Sequence, residues 1–209
     1  MRLGIFGGTF DPPHAGHLLV ASDACDLLSL DKLVFVPAGA PRFKMSSVEA
    51  SPEQRLKMLE LMIAGDGRFA VDSVEINRKG LSYTLDTLVW FAEQFPLAER
   101  FLLIGADLVE QFPTWREPDR ILALAKVVVL DRLTELASAD VVHGHGIESG
   151  FVGAVAPAGF LRLGTRVVQL SSTEVRSRVR AGKPIHGFVS DAVGDYIRKN
   201  GLYQIGIRD

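Results

Sequence analysis

Two histidines three residues apart, His14 and His17, follow a Gly-Gly turn in the opening stretch GIFGGTFDPPHAGHL, residues 4–18. Strand, glycine turn and helix in that order aim free backbone N–H groups and a helix N-terminus at an anion. Histidines at i and i+3 lie on one side of the first helical turn, so both can point at one ligand. Gly16 between them removes a Cβ where a nucleotide could approach the backbone. The chemistry this suits is that of a triphosphate site. The stretch is not a P-loop, because G-x-x-x-x-G-K-[ST] is absent, and not a dinucleotide fingerprint, because G-x-G-x-x-G is absent.

A second candidate lies near the other end, in LSSTEVRSRVR, residues 170–180. Ser171-x-x-Glu174 has the form of a capping box and starts a helix there. Its N–H groups and Arg176 could hold phosphates; a well-capped surface helix with basic residues is the plainer alternative. The five histidines show no zinc spacing, and His143-x-His145 lacks further nearby ligands, so no metal site made by the protein is expected. Cys25, the one cysteine, excludes an intramolecular disulfide and fits a small core residue.

The elements that must position these residues alternate. RLGIF, KLVFVP, FAVDSVEI, RFLLIG, KVVVLDR and TRVVQL read as strands. Between them, HAGHLLVASDACDLLS carries helical spacing with Leu18, Ala21, Cys25 and Leu28 along one stripe. SPEQRLKMLELMIAG is a helix capped by Ser51, with Leu56, Leu59 and Ile63 inward. SYTLDTLVWFAEQF is another, and helices follow from Ser171 and around Val189, Val193 and Ile197. The pattern predicts an α/β fold, Rossmann-like and doubly wound, with a mostly parallel sheet and helices on both faces. Residues 133–164 are rich in Gly and Ala without a clean period, and loop with short irregular elements is expected there. No linker divides the chain, so one domain, 1–209, is expected, its C-terminal helical part beginning near 171.

With 23 basic and 25 acidic residues and a formal net charge of −2, the chain lacks the basic footprint of a nucleic-acid binder. The N-terminus has no apolar signal region and no run approaches a membrane span, so a cytoplasmic protein is expected.

GGTFDPPHAGH and LSSTEVR together resemble the two signature motifs of the HxGH nucleotidyltransferase superfamily. FVPAGAPRFK, SPEQRLKML, GLSYTLDTL, IGADLVEQFPTW and VSDAVGDYIRKNGLY narrow the resemblance to the bacterial nicotinate-mononucleotide adenylyltransferases, over nearly the whole chain outside 133–164. The resemblance implies transfer of AMP from ATP to nicotinate mononucleotide, giving deamido-NAD and pyrophosphate in NAD biosynthesis. Catalysis is then positioning plus charge stabilisation, without a covalent intermediate.

The resemblance implies that His14 and His17 contact the ATP phosphates, with His17 serving the α-phosphate, and that Arg176 completes the catalytic set. Gly7, Gly8, Thr9 and Phe10 would supply backbone donors, Ser172, Thr173 and Arg176 the far phosphates, and Gly105 and Asp107 the ribose side. Asp107 ends a strand, where open α/β sheets bind ligands, and also suits a helix N-cap. For the acceptor, Tyr83 and Thr84 open a helix whose N-terminus suits the nicotinate carboxylate. Trp115 would stack on the pyridine ring, though an aromatic there is by default core. Arg132 resembles an arginine near the mononucleotide phosphate. Lys44 lies on the loop after the second strand, to reach a phosphate or be solvated, and Arg55 on the second helix has no firm role. Where the family commonly has P-P-H-K, this chain has Pro41-Arg42-Phe43-Lys44. Mg²⁺ would enter as the counterion of ATP. A homodimer is left open. His17 begins a helix and is expected largely free of core packing. The alternatives are a sibling transferase for nicotinamide mononucleotide, phosphopantetheine or glycerol phosphate, and a nucleotide-sensing module without chemistry.

Overall fold

The computed structural model describes residues 1–39, 48–78, 80–132, 152–155, 160–166 and 168–204. Seven strands make one sheet: β1 (Arg2–Gly8), β2 (Lys32–Pro37), β3 (Phe69–Val71), β4 (Glu99–Gly105), β5 (Lys126–Arg132), β6 (Val152–Val155) and β7 (Phe160–Thr165). The helices are α1 (Ala15–Leu27), α2 (Pro52–Ile63), α3 (Val74–Asn77), α4 (Thr84–Gln94), α5 (Pro118–Leu124), α6 (Ser172–Arg180) and α7 (Asp191–Lys199). The strand order is β3-β2-β1-β4-β5-β7-β6, parallel throughout except for β6 against β7. The chain steps outward from β1 to β3, then returns to lay β4 beside β1. That reversal opens a crevice at the C-terminal ends of β1 and β4.

Period-2 alternation sends the strand side chains to two separate cores. Leu33, Phe35, Phe101, Leu103, Val128 and Leu130 pack with Ala21, Met58, Val175 and Val193 under α1, α2, α6 and α7. Their neighbours Val34, Val36, Leu102, Ile104, Val127 and Val129 pack with Leu88, Phe91 and Ile121 under α4 and α5. Strands buried on both faces account for the unbroken apolar runs KLVFVP and KVVVL. This is the doubly wound α/β fold expected.

Four local expectations change. FAVDSVEI is a strand only to Val71, because Asp72 Oδ1 accepts the N–H of Val74 at 2.8 Å and starts α3. The strand expected over TRVVQL stops at its first residue: β7 ends at Thr165, where buried Asp23 captures the Arg166 N–H at 3.0 Å and its guanidinium at 2.6 Å. The stretch 133–164, expected to be irregular, holds β6 and the first part of β7; pairing of β7 with β5, and of β6 with β7, stabilises them despite weak periodicity. On α2 the buried stripe is Arg55, Met58, Leu59 and Met62, so Leu56 and Ile63 are only half-buried. Hydropathy alone could not place an arginine at the centre of that stripe.

Candidate active site

Two cavities meet in the crevice. The first, of about 900 Å³, opens on the α1 and α6 side. Gly7, Gly8, Thr9, Phe10, His14, His17, Gly105, Asp107, Ser172, Thr173 and Arg176, the whole set expected to hold ATP, all line it. The second, of about 450 Å³, opens on the α4 side, with Tyr83, Thr84 and Trp115 on its wall. Gly7, Gly8, Thr9 and Asp107 belong to both walls. Ligands filling the two cavities would therefore meet at that seam. A Cβ on Gly7 would have no atom within 4 Å, so it would project into the open space of the seam.

The histidines are set by the helix start. His14 is the N-cap of α1, extended at φ −144° and ψ 168°, and His17 is its third residue. The His14 N–H donates to His17 Nδ1 at 3.2 Å, and the rings stack with centroids 3.7 Å apart. Accepting at Nδ1 leaves the proton of the neutral His17 ring on Nε2. Burial, and then the adjacent His14, hold His17 well below the ordinary imidazole value of 6.5. His17 is thus a neutral donor at physiological pH. It is not free of packing, as expected from sequence: its ring lies edge-on to Phe10 and Phe6, centroids 5.0 and 6.2 Å away. Gly16 lines the larger cavity, and a Cβ there would also lie 3.0 Å from His14 Nδ1. Its missing side chain makes room for the histidine.

The loop after β1 is fastened from several sides. Phe10 sits at φ 53°, left-handed backbone that a bulky residue rarely adopts, with its ring buried against Phe6 and Phe35. Asp11, 2% exposed, accepts from the N–H groups of Glu49 and Ala50 at 2.8 and 3.1 Å and from the Tyr203 hydroxyl at 2.7 Å. Burial and the Asp11 carboxylate push the Tyr203 phenol far above its ordinary value, so it remains a donor. Ser172 Oγ donates to the Pro12 carbonyl at 2.8 Å. Ser171 Oγ accepts the Glu174 N–H at 3.1 Å, the N-terminal cap that starts α6.

Arg176 is already engaged. It donates to the Asp11 carbonyl at 2.7 Å, and its Nε lies 2.9 Å from Glu49 Oε1. Arg180 pairs with the same carboxylate. Asp107 lies inside a short 3₁₀ turn, Ala106–Leu108, whose cap is Gly105, so the N-cap role does not apply.

At the second cavity, Tyr83 caps α4 in extended conformation, φ −113°, and Thr84 begins it. The Arg116 guanidinium covers the Tyr83 ring at 5.2 Å. Trp115 packs on Phe112, and its indole N–H is buried without a partner among the described residues. The sequence reading missed Glu75, which lines this cavity and accepts from Thr87 Oγ1 at 2.7 Å. Burial raises its carboxyl above the ordinary value. A carboxylate inside an apolar alternation was the available signal. Arg55 lines neither cavity. Arg132 ends β5 opposite Thr165, and its side chain is outside the described residues, as are Lys44, Arg42, His143 and His145.

The cytidylyltransferase-like family model matches residues 5–178. A probable nicotinate-nucleotide adenylyltransferase from Gemmatimonas aurantiaca is 44% identical over 98% of this chain and 93% of its own length. One of the same name from Thermus thermophilus is 39% identical over 98% and 100%. The chain belongs to the nicotinate-nucleotide adenylyltransferase family. Among solved structures, Plasmodium falciparum nicotinic acid mononucleotide adenylyltransferase complexed with NaAD has a TM-score of 0.71 at 18% identity, covering 97% of each chain. At that identity it speaks for the fold shared across these adenylyltransferases.

Proposed function

We propose that this chain transfers AMP from ATP to nicotinate mononucleotide, forming nicotinate adenine dinucleotide and releasing pyrophosphate. The seam shared by the two cavities, Gly7 to Thr9 with Asp107, carries the reading. ATP in the larger cavity and the mononucleotide in the smaller would bring the acceptor 5′-phosphate oxygen in line with the α-phosphorus. The new O–P bond forms as the bond from the α-phosphorus to the bridging oxygen breaks, and pyrophosphate leaves with that electron pair.

Each residue has a role in this reading. His17 Nε2–H donates to an α-phosphate oxygen as negative charge builds there. His14 flanks it, and Gly7, Gly8, Thr9 and Phe10 present backbone. Ser172, Thr173 and Arg176 face the β- and γ-phosphates, which displace Glu49 from Arg176. Asp107, with Gly105, meets the ATP ribose. Tyr83 and Thr84 receive the nicotinate carboxylate at the α4 N-terminus, and Trp115 stacks on the pyridine ring. Lys44 and Arg132 complete the acceptor side. Two carboxylates line the larger cavity, Asp107 and Asp11, and Asp11 is already engaged by the N–H groups of Glu49 and Ala50 and by the Tyr203 hydroxyl; with the N–H and O–H donors around them the set suits phosphates and Mg²⁺ carried in by them. Among the described residues no helix is long and apolar enough to cross a membrane, and a cytoplasmic location is part of the proposal.

Pyrophosphate release with ATP and a panel of acceptors tests it. Nicotinate mononucleotide should give the highest kcat/KM, above nicotinamide mononucleotide, with phosphopantetheine and glycerol phosphate inert. A faster sibling acceptor would reassign the substrate, and no release with any of them would leave only a nucleotide-binding module.

A further inference from the structure

We infer that Arg55 is a positioning residue that sets the spacing between the two cavities, an inference resting on the adenylyl transfer proposed above. Arg55 lies in the first turn of α2 and is 1% exposed. The parallel β1–β2 ladder runs to Gly8 and Pro37, and one further backbone bond, Ala38 N–H to the Gly8 carbonyl at 2.9 Å, closes it. Past that bond the two chains part. Thr9 goes to the wall both cavities share, and Ala38 to the wall of the acceptor cavity.

The Arg55 guanidinium supplies the next rung. Nη1 donates to the Thr9 carbonyl at 2.8 Å, and Nη2 to the carbonyls of Ala38 at 2.6 Å and Gly39 at 3.3 Å. A planar fork can bridge two diverging backbones, which a single ammonium cannot. Desolvation opposes the buried cation, and the charge of buried Asp11 works the other way. Without the fork each loop keeps anchors of its own. Asp11 still holds residues 49 and 50, and Gly39 still lies against the Glu75 carbonyl, where a Cβ would collide. Losing Arg55 therefore alters the distance between donor and acceptor more than the shape of either pocket. In-line transfer is sensitive to that distance.

The test compares R55K, which keeps the charge and loses the fork, with R55M, which fills the same space without polarity. Steady-state kinetics, thermal melts and amide hydrogen exchange of the ligand-free proteins are measured together. In both variants kcat should fall by roughly 10²-fold, while KM for ATP and for nicotinate mononucleotide each change less than about threefold. Exchange should quicken over residues 7–11 and 38–39 and stay unchanged in β4. Full turnover in R55K, raised KM values with intact kcat, or a kcat loss equal to the unfolded fraction in the melts would overturn the inference. Should the wild type release no pyrophosphate with any acceptor, the functional reading fails by itself. Exchange then decides the inference: faster in both loops supports a coupling rung, unchanged removes it.

Discussion

The His14 N–H donates to the side chain of His17, not to solvent, and the two rings lie face to face 3.7 Å apart. The bond fixes which nitrogen of His17 carries the proton, so the orientation of the donor is set before any ligand arrives. His17→Ala removes a donor aimed at developing phosphate charge, and kcat should fall by ~10²–10³. The same change should lower the melting temperature, because it also removes a ring packed on Phe6 and Phe10. Single-turnover rates on the folded variant separate the two effects. Near-native turnover would mean that another group serves the α-phosphate.

The lowered His17 pKa predicts a specific acid response. In the unfolded chain an imidazole titrates at about 6.5, and in the fold His17 titrates well below that. Between those values the unfolded state binds the extra proton, so stability rises with pH. The contribution is fully present above 6.5 and is lost as pH falls towards the folded value, by up to ~1.4 kcal/mol per pH unit. Glu75, raised by burial, acts in the opposite direction on acidification. The readout is therefore the difference between wild type and His17→Asn in urea melts across this range. Parallel acid limbs for the two proteins would contradict the neutral, half-buried imidazole.

Gly7 offers a cleaner probe of the seam. A methyl group there meets nothing within 4 Å, so Gly7→Ala should fold with a melting temperature within a few degrees of wild type. The same methyl occupies the wall common to both cavities. Turnover should be lost to a greater degree than stability, with both substrates affected. A variant that is fully active would show that neither ligand approaches the backbone of β1 there.

Much of this site was legible because its residues are local in sequence. Gly7 to His17 is one strand–turn–helix, and Ser171 to Arg176 one capped helix start; these two segments carry the motifs behind the resemblance and supply nine of the eleven expected residues that share a cavity wall, Gly105 and Asp107 being the others. What spacing could not give is contact across the chain. Asp11 meets Tyr203 from 192 residues away, and Arg55 reaches Thr9 from 46. A buried arginine and a buried aspartate read as surface residues in any hydropathy pattern. The strand misassignments have a similar origin. Residues 160–164 become strand through pairing with β5 and β6, whereas 168–170, more apolar, are held off the sheet by Asp23 and Arg166.

Glu49 and Arg176 form a competition that can be measured. Arg176 is 11% exposed and paired with a carboxylate that phosphates would have to displace. Arg176→Ala should raise KM for ATP and leave that for the acceptor nearly unchanged. Glu49→Gln should lower KM for ATP, because it removes the competitor. Glu49 is 35% exposed, so a partly screened pair of ~0.5–1 kcal/mol gives a factor of roughly two to five. If Glu49→Gln weakens ATP instead, Glu49 organises Arg176 for the phosphates rather than competing with them.

Acceptor choice turns on Glu75 as much as on the α4 N-terminus. In the proposed function, the helix start at Tyr83 and Thr84 would attract the nicotinate carboxylate by ~0.3–1 kcal/mol, and a neutral amide would gain little from it. Asp86, in the first turn of the same helix, faces Arg116 at 3.7 Å and lines a different groove. Two acids lie on the wall of the smaller cavity, Asp107 at the seam and Glu75, which Thr87 anchors away from it. When ionised, Glu75 repels nicotinate and can accept from the NH₂ of nicotinamide. Its raised pKa lessens that repulsion, burial being the larger cause and the Thr87 hydrogen bond opposing it. Wild type should therefore favour nicotinate mononucleotide in kcat/KM, and Glu75→Gln, which removes the charge and keeps an acceptor for Thr87, should widen the ratio by about fivefold, close to 1 kcal/mol. Trp115→Ala should reduce both acceptors alike by removing the stacking surface. Equal wild-type efficiency on the two mononucleotides would remove the carboxylate from Tyr83 and Thr84. A ratio that narrows in Glu75→Gln would mean that Glu75 meets nicotinate as a protonated donor, so that its proton, not its charge, selects the substrate.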